Sequence, residues 1–143
     1  MEDAPKHMSA PRVLVVEDER VSRSLLARQL KAKGYDVMAT ATASEAIHAA
    51  NERKPDLLIL DLTLNADPLE AMREGFTLLG WLRRMLPDPI FPVIIHTGDS
   101  SPELDARAQT ENVYAVVRKD GELSKLLELV GQALADHSSG VES

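Results

Sequence analysis

At 143 residues, 44% of them hydrophobic and 27% charged, the chain suits one domain with a buried core and lacks the composition of a disordered segment. Its 16 basic and 23 acidic side chains leave a net charge of −7, which disfavours a broad electrostatic footprint on nucleic acid or anionic lipid. Without cysteine there are no disulfides, thiol nucleophiles or cysteine-ligated zinc, and no apolar run reaches the length of a membrane span or a secretory core, so a cytoplasmic protein without membrane insertion is expected.

Residues 1–10 and 137–143 are small, polar and unpatterned, and are expected to be flexible tails around a domain spanning residues 11–136. Within it the apolar run Val13 to Val16 reads as a buried strand, followed by the acidic pair Glu17 and Asp18. A helix is predicted from Arg20 to Lys33, with Val21, Leu25, Leu26 and Leu30 on one side and Gly34 as a left-handed stop. Tyr35 to Thr40 reads as the second strand, and Thr42 with Glu45 as a capping box opening a small-residue helix through Ala46, Ile47, Ala49 and Ala50.

The run Leu57 to Leu60 is the third strand and delivers Asp61 at its carboxyl end. Leu78, Leu79, Leu82, Met85 and Leu86 form a helical stripe that Pro87, Pro89 and Pro92 bring to an end. Val93 to Ile95 leads to His96 and Thr97; by alternation the two side chains point to opposite faces, so His96 is read as a packed or hydrogen-bonded residue rather than a ligand or phosphocarrier. The helix Pro102 to Glu111 offers mainly Leu104, Ala106 and Ala108, and so little apolar surface implies weak anchoring and mobility. Val113 to Val117 is the fifth strand, followed by Lys119 and a last helix carrying Leu123, Leu126, Leu127, Val130 and Leu134.

Five alternations of strand and helix imply an α/β domain with a parallel sheet, in which ligands sit outside the carboxyl ends of the strands. Asp18, Asp61, Thr97 and Lys119 all lie at such ends. Three carboxylates, Glu17, Asp18 and Asp61, would face one another there, and their repulsion would be relieved by a hard cation such as Mg²⁺ together with the lysine, giving a formal sum of zero. A carboxylate in that setting can attack phosphorus to form an aspartyl phosphate while the metal, lysine and hydroxyl stabilise the equatorial oxygens. Asp61, alone at the end of the central apolar strand, is the best nucleophile.

VLVVEDE at residues 13–19, PDLLILDL at 55–62, PVIIHTG at 92–98 and VVRK at 116–119 together resemble the receiver domain of bacterial two-component response regulators. The resemblance implies a flavodoxin-like sheet of order 2-1-3-4-5 and phosphoryl transfer to Asp61 from a sensor histidine kinase or a histidine phosphotransfer protein. It further implies that Asp18 and Asp61 bind Mg²⁺ directly, Glu17 through water and Thr63 through its backbone carbonyl, with Thr97 and Lys119 on the phosphoryl oxygens. The further partner expected is a downstream protein or an output domain outside this chain, and the net charge argues against direct binding of nucleic acid.

Three departures from the family pattern stand out. Asp120 replaces the proline that usually follows the lysine; a cis bond before a non-proline costs about 3 kcal/mol, so a trans peptide is expected, with Asp120 capping the last helix. Val116 stands where an aromatic switch residue is common, and Tyr114 shares its side of the strand by parity. LTLNADPLEAMREGF at 62–76 reads as an insertion beside the site, in which Leu64, Leu69 and Met72 suggest a short partner-contacting helix. The competing functions are a phosphorylation-independent adaptor and, less favoured, an aspartate-nucleophile phosphohydrolase, for which a second aspartate two residues after Asp61 is missing.

Overall fold

Repeated β-branched and leucine runs too short to be helices pair into one sheet, which a computed structural model describes over residues 10–62, 68–86, 91–98, 102–119 and 123–142. The strands are β1 (Arg12–Val16), β2 (Asp36–Thr40), β3 (Leu57–Leu62), β4 (Val93–Thr97) and β5 (Ala115–Arg118). They are parallel, in the order β2-β1-β3-β4-β5, with Val16 opposite Leu60 and Asp61 opposite His96. The helices between and after them are α1 (Arg20–Ala32), α2 (Ala43–Glu52), α3 (Pro68–Met85), α4 (Pro102–Thr110) and α5 (Ser124–Glu142). Among the described residues no helix is long and apolar enough to cross a membrane.

Alternation along the strands divides the core in two. Leu14, Leu58, Leu60, Val93 and Ile95 pack with Ala46, Phe76, Leu79, Leu82 and Leu104, the side of α2, α3 and α4. Val13, Val15, Leu57, Ile59, Ile94 and Val117 pack with Leu26, Leu30, Leu126 and Val130, the side of α1 and α5. Burial on both faces explains why β3 reads as a continuous apolar run; each fully buried leucine contributes about 1.5–3 kcal/mol relative to an exposed one.

Local signals set the helix ends. Glu19 caps α1 by accepting from Ser22 N–H at 2.8 Å, and Gly34, with φ of 95°, stops the helix in the left-handed region. Thr42 accepts from Glu45 N–H at 3.1 Å, while Glu45 returns its carboxylate to Ala41 N–H at 2.8 Å, one residue earlier than a standard capping box would.

The structure differs from the sequence reading in two helices. Residues 68–74 are the opening turns of α3 rather than a separate short helix, because Met72 and Phe76 continue the stripe of Leu79 and Leu82 at helical spacing. Helix α5 runs to Glu142, so residues 137–142, expected as tail, are helical. Residues 1–9, Thr63, Leu64, Asn65 and Asp120 lie outside the described residues.

Helix α4 has more anchorage than its composition suggests. Leu104 is fully buried, Arg107 lies 4.9 Å from the Phe76 ring centroid, and Arg118 meets Asp105 at 3.5 Å. At its carboxyl end Arg83 of α3 donates to the carbonyls of Glu111 (2.5 Å) and Asn112 (3.4 Å), holding the turn in which Asn112 adopts φ of 59°.

Candidate functional site

Beyond the last apolar residues of β1, β3 and β4, the next inward position is polar on each strand. Glu17, Asp61 and His96 thus form a crosswise row on the α1 and α5 side, all three buried. Glu17 N–H donates to the Thr40 carbonyl at 2.9 Å, fixing the end of β1. Its carboxylate accepts from Glu19 N–H at 2.8 Å and from Lys119 Nζ at 3.2 Å, while Arg23 donates to its carbonyl at 3.0 Å.

Lys119 reaches the row because its N–H donates to the Thr97 carbonyl at 2.7 Å, extending the pairing of β4 with β5 by one step. Two residues past buried Val117, its side chain projects to the same face. The ammonium spans Glu17 Oε1 and Asp61 Oδ1. The other Asp61 oxygen, Oδ2, lies 3.0 Å from His96 Nδ1.

These contacts decide the charge states. Burial pushes the Asp61 carboxyl up, but its hydrogen bond with His96 and the charge of the adjacent Lys119 outweigh it, leaving Asp61 below the ordinary carboxylate range. Burial likewise pulls Lys119 down, and its bonds and charge attraction to Asp61 and Glu17 overcome this, holding it above an ordinary lysine. The pair is therefore ionised at neutral pH, a buried carboxylate beside a fixed cation.

Asp61 also lines a cavity of about 330 Å³ with Asp18, Thr42, Glu74, Gly75 and Leu78. Asp18 is exposed and borders the same cavity. Among the described residues, no three carboxylate or imidazole side chains are gathered into a ready metal cluster. Lys119 stands between Glu17 and Asp61, and Asp18 lines the cavity with Asp61. Thr97 is fully buried as the last residue of β4, opposite Leu62. Tyr114, partly exposed and just ahead of β5, donates to Asp136 of α5 at 2.7 Å, and Val116 packs at the edge of the core beneath α4.

Sequence reasoning missed the contact of His96 with Asp61. Alternation correctly sets His96 opposite Thr97, but the register of β3 with β4 places Asp61 on that same opposite face. A residue one before Thr97 is the neighbour of a residue one before Leu62, a register that the sequence alone does not reveal.

The description "Response regulator receiver domain" matches residues 13–131. The chain belongs to that family. The receiver is 29% identical over 126 residues to the transcriptional regulatory protein PdtaR of Mycobacterium tuberculosis, covering 87% of this chain and 57% of the relative. It is 27% identical over 136 residues to the DNA-binding transcriptional regulator NtrC of Bradyrhizobium, covering 95% and 27% respectively. It therefore spans only part of these curated relatives. Among solved structures, a CheY-like receiver domain protein of Methanospirillum hungatei superimposes with a TM-score of 0.75 at 26% identity, covering 92% of this chain and 99% of the other. NtrX of Brucella abortus gives 0.78 at 28% identity, covering 93% and 29%.

Proposed function

We propose that this receiver accepts a phosphoryl group on Asp61 from the phosphohistidine of a sensor histidine kinase or histidine phosphotransfer protein. It then changes its affinity for a downstream protein or an output domain, in the cytoplasm, and acts as a signalling module rather than a turnover enzyme. The observation that carries this reading is a buried, ionised Asp61 held against Lys119 at the mouth of a cavity it shares with Asp18.

In the transfer, Asp61 Oδ1 forms the new O–P bond as the P–N bond of the phosphohistidine breaks and the donor imidazole leaves. Lys119, already at Oδ1, is placed to pair with the incoming phosphoryl oxygens, and the Thr97 hydroxyl is assigned to the same group. Asp18 and Asp61 directly, Glu17 through water and the Thr63 carbonyl would hold Mg²⁺, an all-oxygen set suited to a hard cation that would supply positive charge against the transferred group. Phosphorylation adds about −1.5 to −2 charges at the row. The lysine's move away from Glu17 is the local event, and its readout is assigned to α4, β5 and α5 without a rotating aromatic at Val116.

The test is labelling with a small phosphodonor and Mg²⁺ followed by mass mapping. One phosphoryl group at Asp61, cleaved by hydroxylamine as an acyl phosphate is and abolished by Asp61→Asn, is expected; equal labelling of the variant, or a map to another residue, overturns the reading. The Arg83 clamp on α4 favours a second reading, an adaptor whose surface does not respond. Backbone amide shifts with Mg²⁺ and beryllofluoride separate the two: changes along α4 support the switch, and changes confined to the strand ends support the adaptor.

A further inference from the structure

His96 is an unusual neighbour for a nucleophile. It is buried, lies beside Asp61 in the sheet register and places Nδ1 3.0 Å from Oδ2, the oxygen that does not touch Lys119. An ionised carboxylate has only acceptors, so Nδ1 carries the proton and donates, whatever the state of the far ring nitrogen. The two oxygens of Asp61 are thereby made unequal. Oδ2 is held by an N–H inside the core, leaving one lone pair for a cation, and Oδ1 is left beside Lys119.

We propose that His96 is a positioning residue that selects Oδ1 as the attacking oxygen and shortens the lifetime of the aspartyl phosphate; this rests on Asp61 being the acceptor. Once Oδ1 is bonded to phosphorus, Oδ2 becomes the neutral acyl carbonyl, a weaker acceptor than a carboxylate oxygen. The His96 hydrogen bond therefore stabilises the free carboxylate more than the acyl phosphate. In hydrolysis a water oxygen bonds to phosphorus, the P–Oδ1 bond breaks, the electron pair returns to the Asp61 carboxylate and the water proton leaves with phosphate and solvent. The leaving carboxylate regains charge at Oδ2, where His96 meets it. The difference between a hydrogen bond to a charged and to a neutral acceptor corresponds to about a fivefold to tenfold change in rate.

Two variants test this, His96→Met, which fills the site without a donor, and His96→Asn, whose amide N–H replaces Nδ1–H. Each is phosphorylated with a small phosphodonor and Mg²⁺, separated from donor, and followed as label is lost. The expected result is a label about five to ten times longer lived in His96→Met and close to the parent in His96→Asn. In metal-free parent protein, a slowly exchanging imidazole proton on His96 Nδ1 should appear in ¹⁵N-resolved spectra and shift in Asp61→Ala. A parent that takes no label at Asp61 refutes the acceptor assignment itself. A labelled parent whose Met and Asn variants decay alike, or an Nδ1 without a proton, refutes the role of His96 alone.

Discussion

Replacing Lys119 by methionine removes the cation between Glu17 and Asp61 while keeping most of the side-chain volume. The two carboxylates it joins are 0% and 2% exposed at the side chain, and the lysine is 26% exposed. Breaking a buried pair from one side costs about 3–5 kcal/mol, and the partial exposure of the lysine argues for the lower end, about 3 kcal/mol. In a domain of this size that lowers the melting temperature by about 10 °C.

The loss has a pH signature. In the parent, the depressed Asp61 contributes stability above its unfolded pKa of about 3.9, lost only as pH falls through its lower folded value. The raised Lys119 contributes below about 10.4, lost as pH rises through its higher folded value. Both contributions are complete between pH 5 and 8, so they give the parent no slope there. In the variant, two facing carboxylates without a cation push one proton affinity up, so folding takes up a proton and the deficit shrinks as pH falls toward 5. Urea unfolding followed by circular dichroism at several pH values, without added metal, reads both effects. A deficit below about 1 kcal/mol at pH 7.5, or one unchanged at pH 5.5, would refute the reasoning.

Mg²⁺ should raise the melting temperature of the parent, since a ligand of the native carboxylates stabilises by mass action, and should do so much less in Asp18→Ala; equal shifts in the two remove Asp18 from the site. Arg83→Met should lose the two bonds to the end of α4 and destabilise by about 1–3 kcal/mol, with hydrogen exchange rising first in residues 104–110. Exchange unchanged in that helix would show that Leu104 and Arg107 alone hold it. Asp136→Asn should lower the titration point of the Tyr114 phenol, which its hydrogen bond to Asp136 holds above the usual tyrosine value. A phenol titrating as before, read by ultraviolet absorbance, would contradict that contact.

The parallel strands were legible because strands buried on both faces leave continuous apolar runs, whereas their order came only from the resemblance at four strand ends. Glu17, Asp61 and Lys119 could be placed together from the rule that parallel strands deliver their carboxyl ends to one edge. The contact of His96 with Asp61 could not, since alternation within β4 says which face a side chain takes, while the partner on that face depends on the register between strands. The opening of α3 was hidden by Pro68, which reads as loop punctuation yet is also suited to the first turn of a helix. The end of α5 was illegible for the opposite reason: Ser138, Ser139 and Gly140 carry no helical signal that a sequence reading could weigh.

The grip of Arg83 on Glu111 and Asn112 gives α4 a fulcrum. A rod pinned at one end answers a push near the other by tilting, so displacement grows with distance from the pin. Over the nine residues of α4, at about 1.5 Å of rise each, a small rotation about Glu111 moves Pro102 and Glu103 the furthest. A partner that read the first turn of α4 would therefore sense the chemistry at Asp61 with more leverage than one that read its last turn.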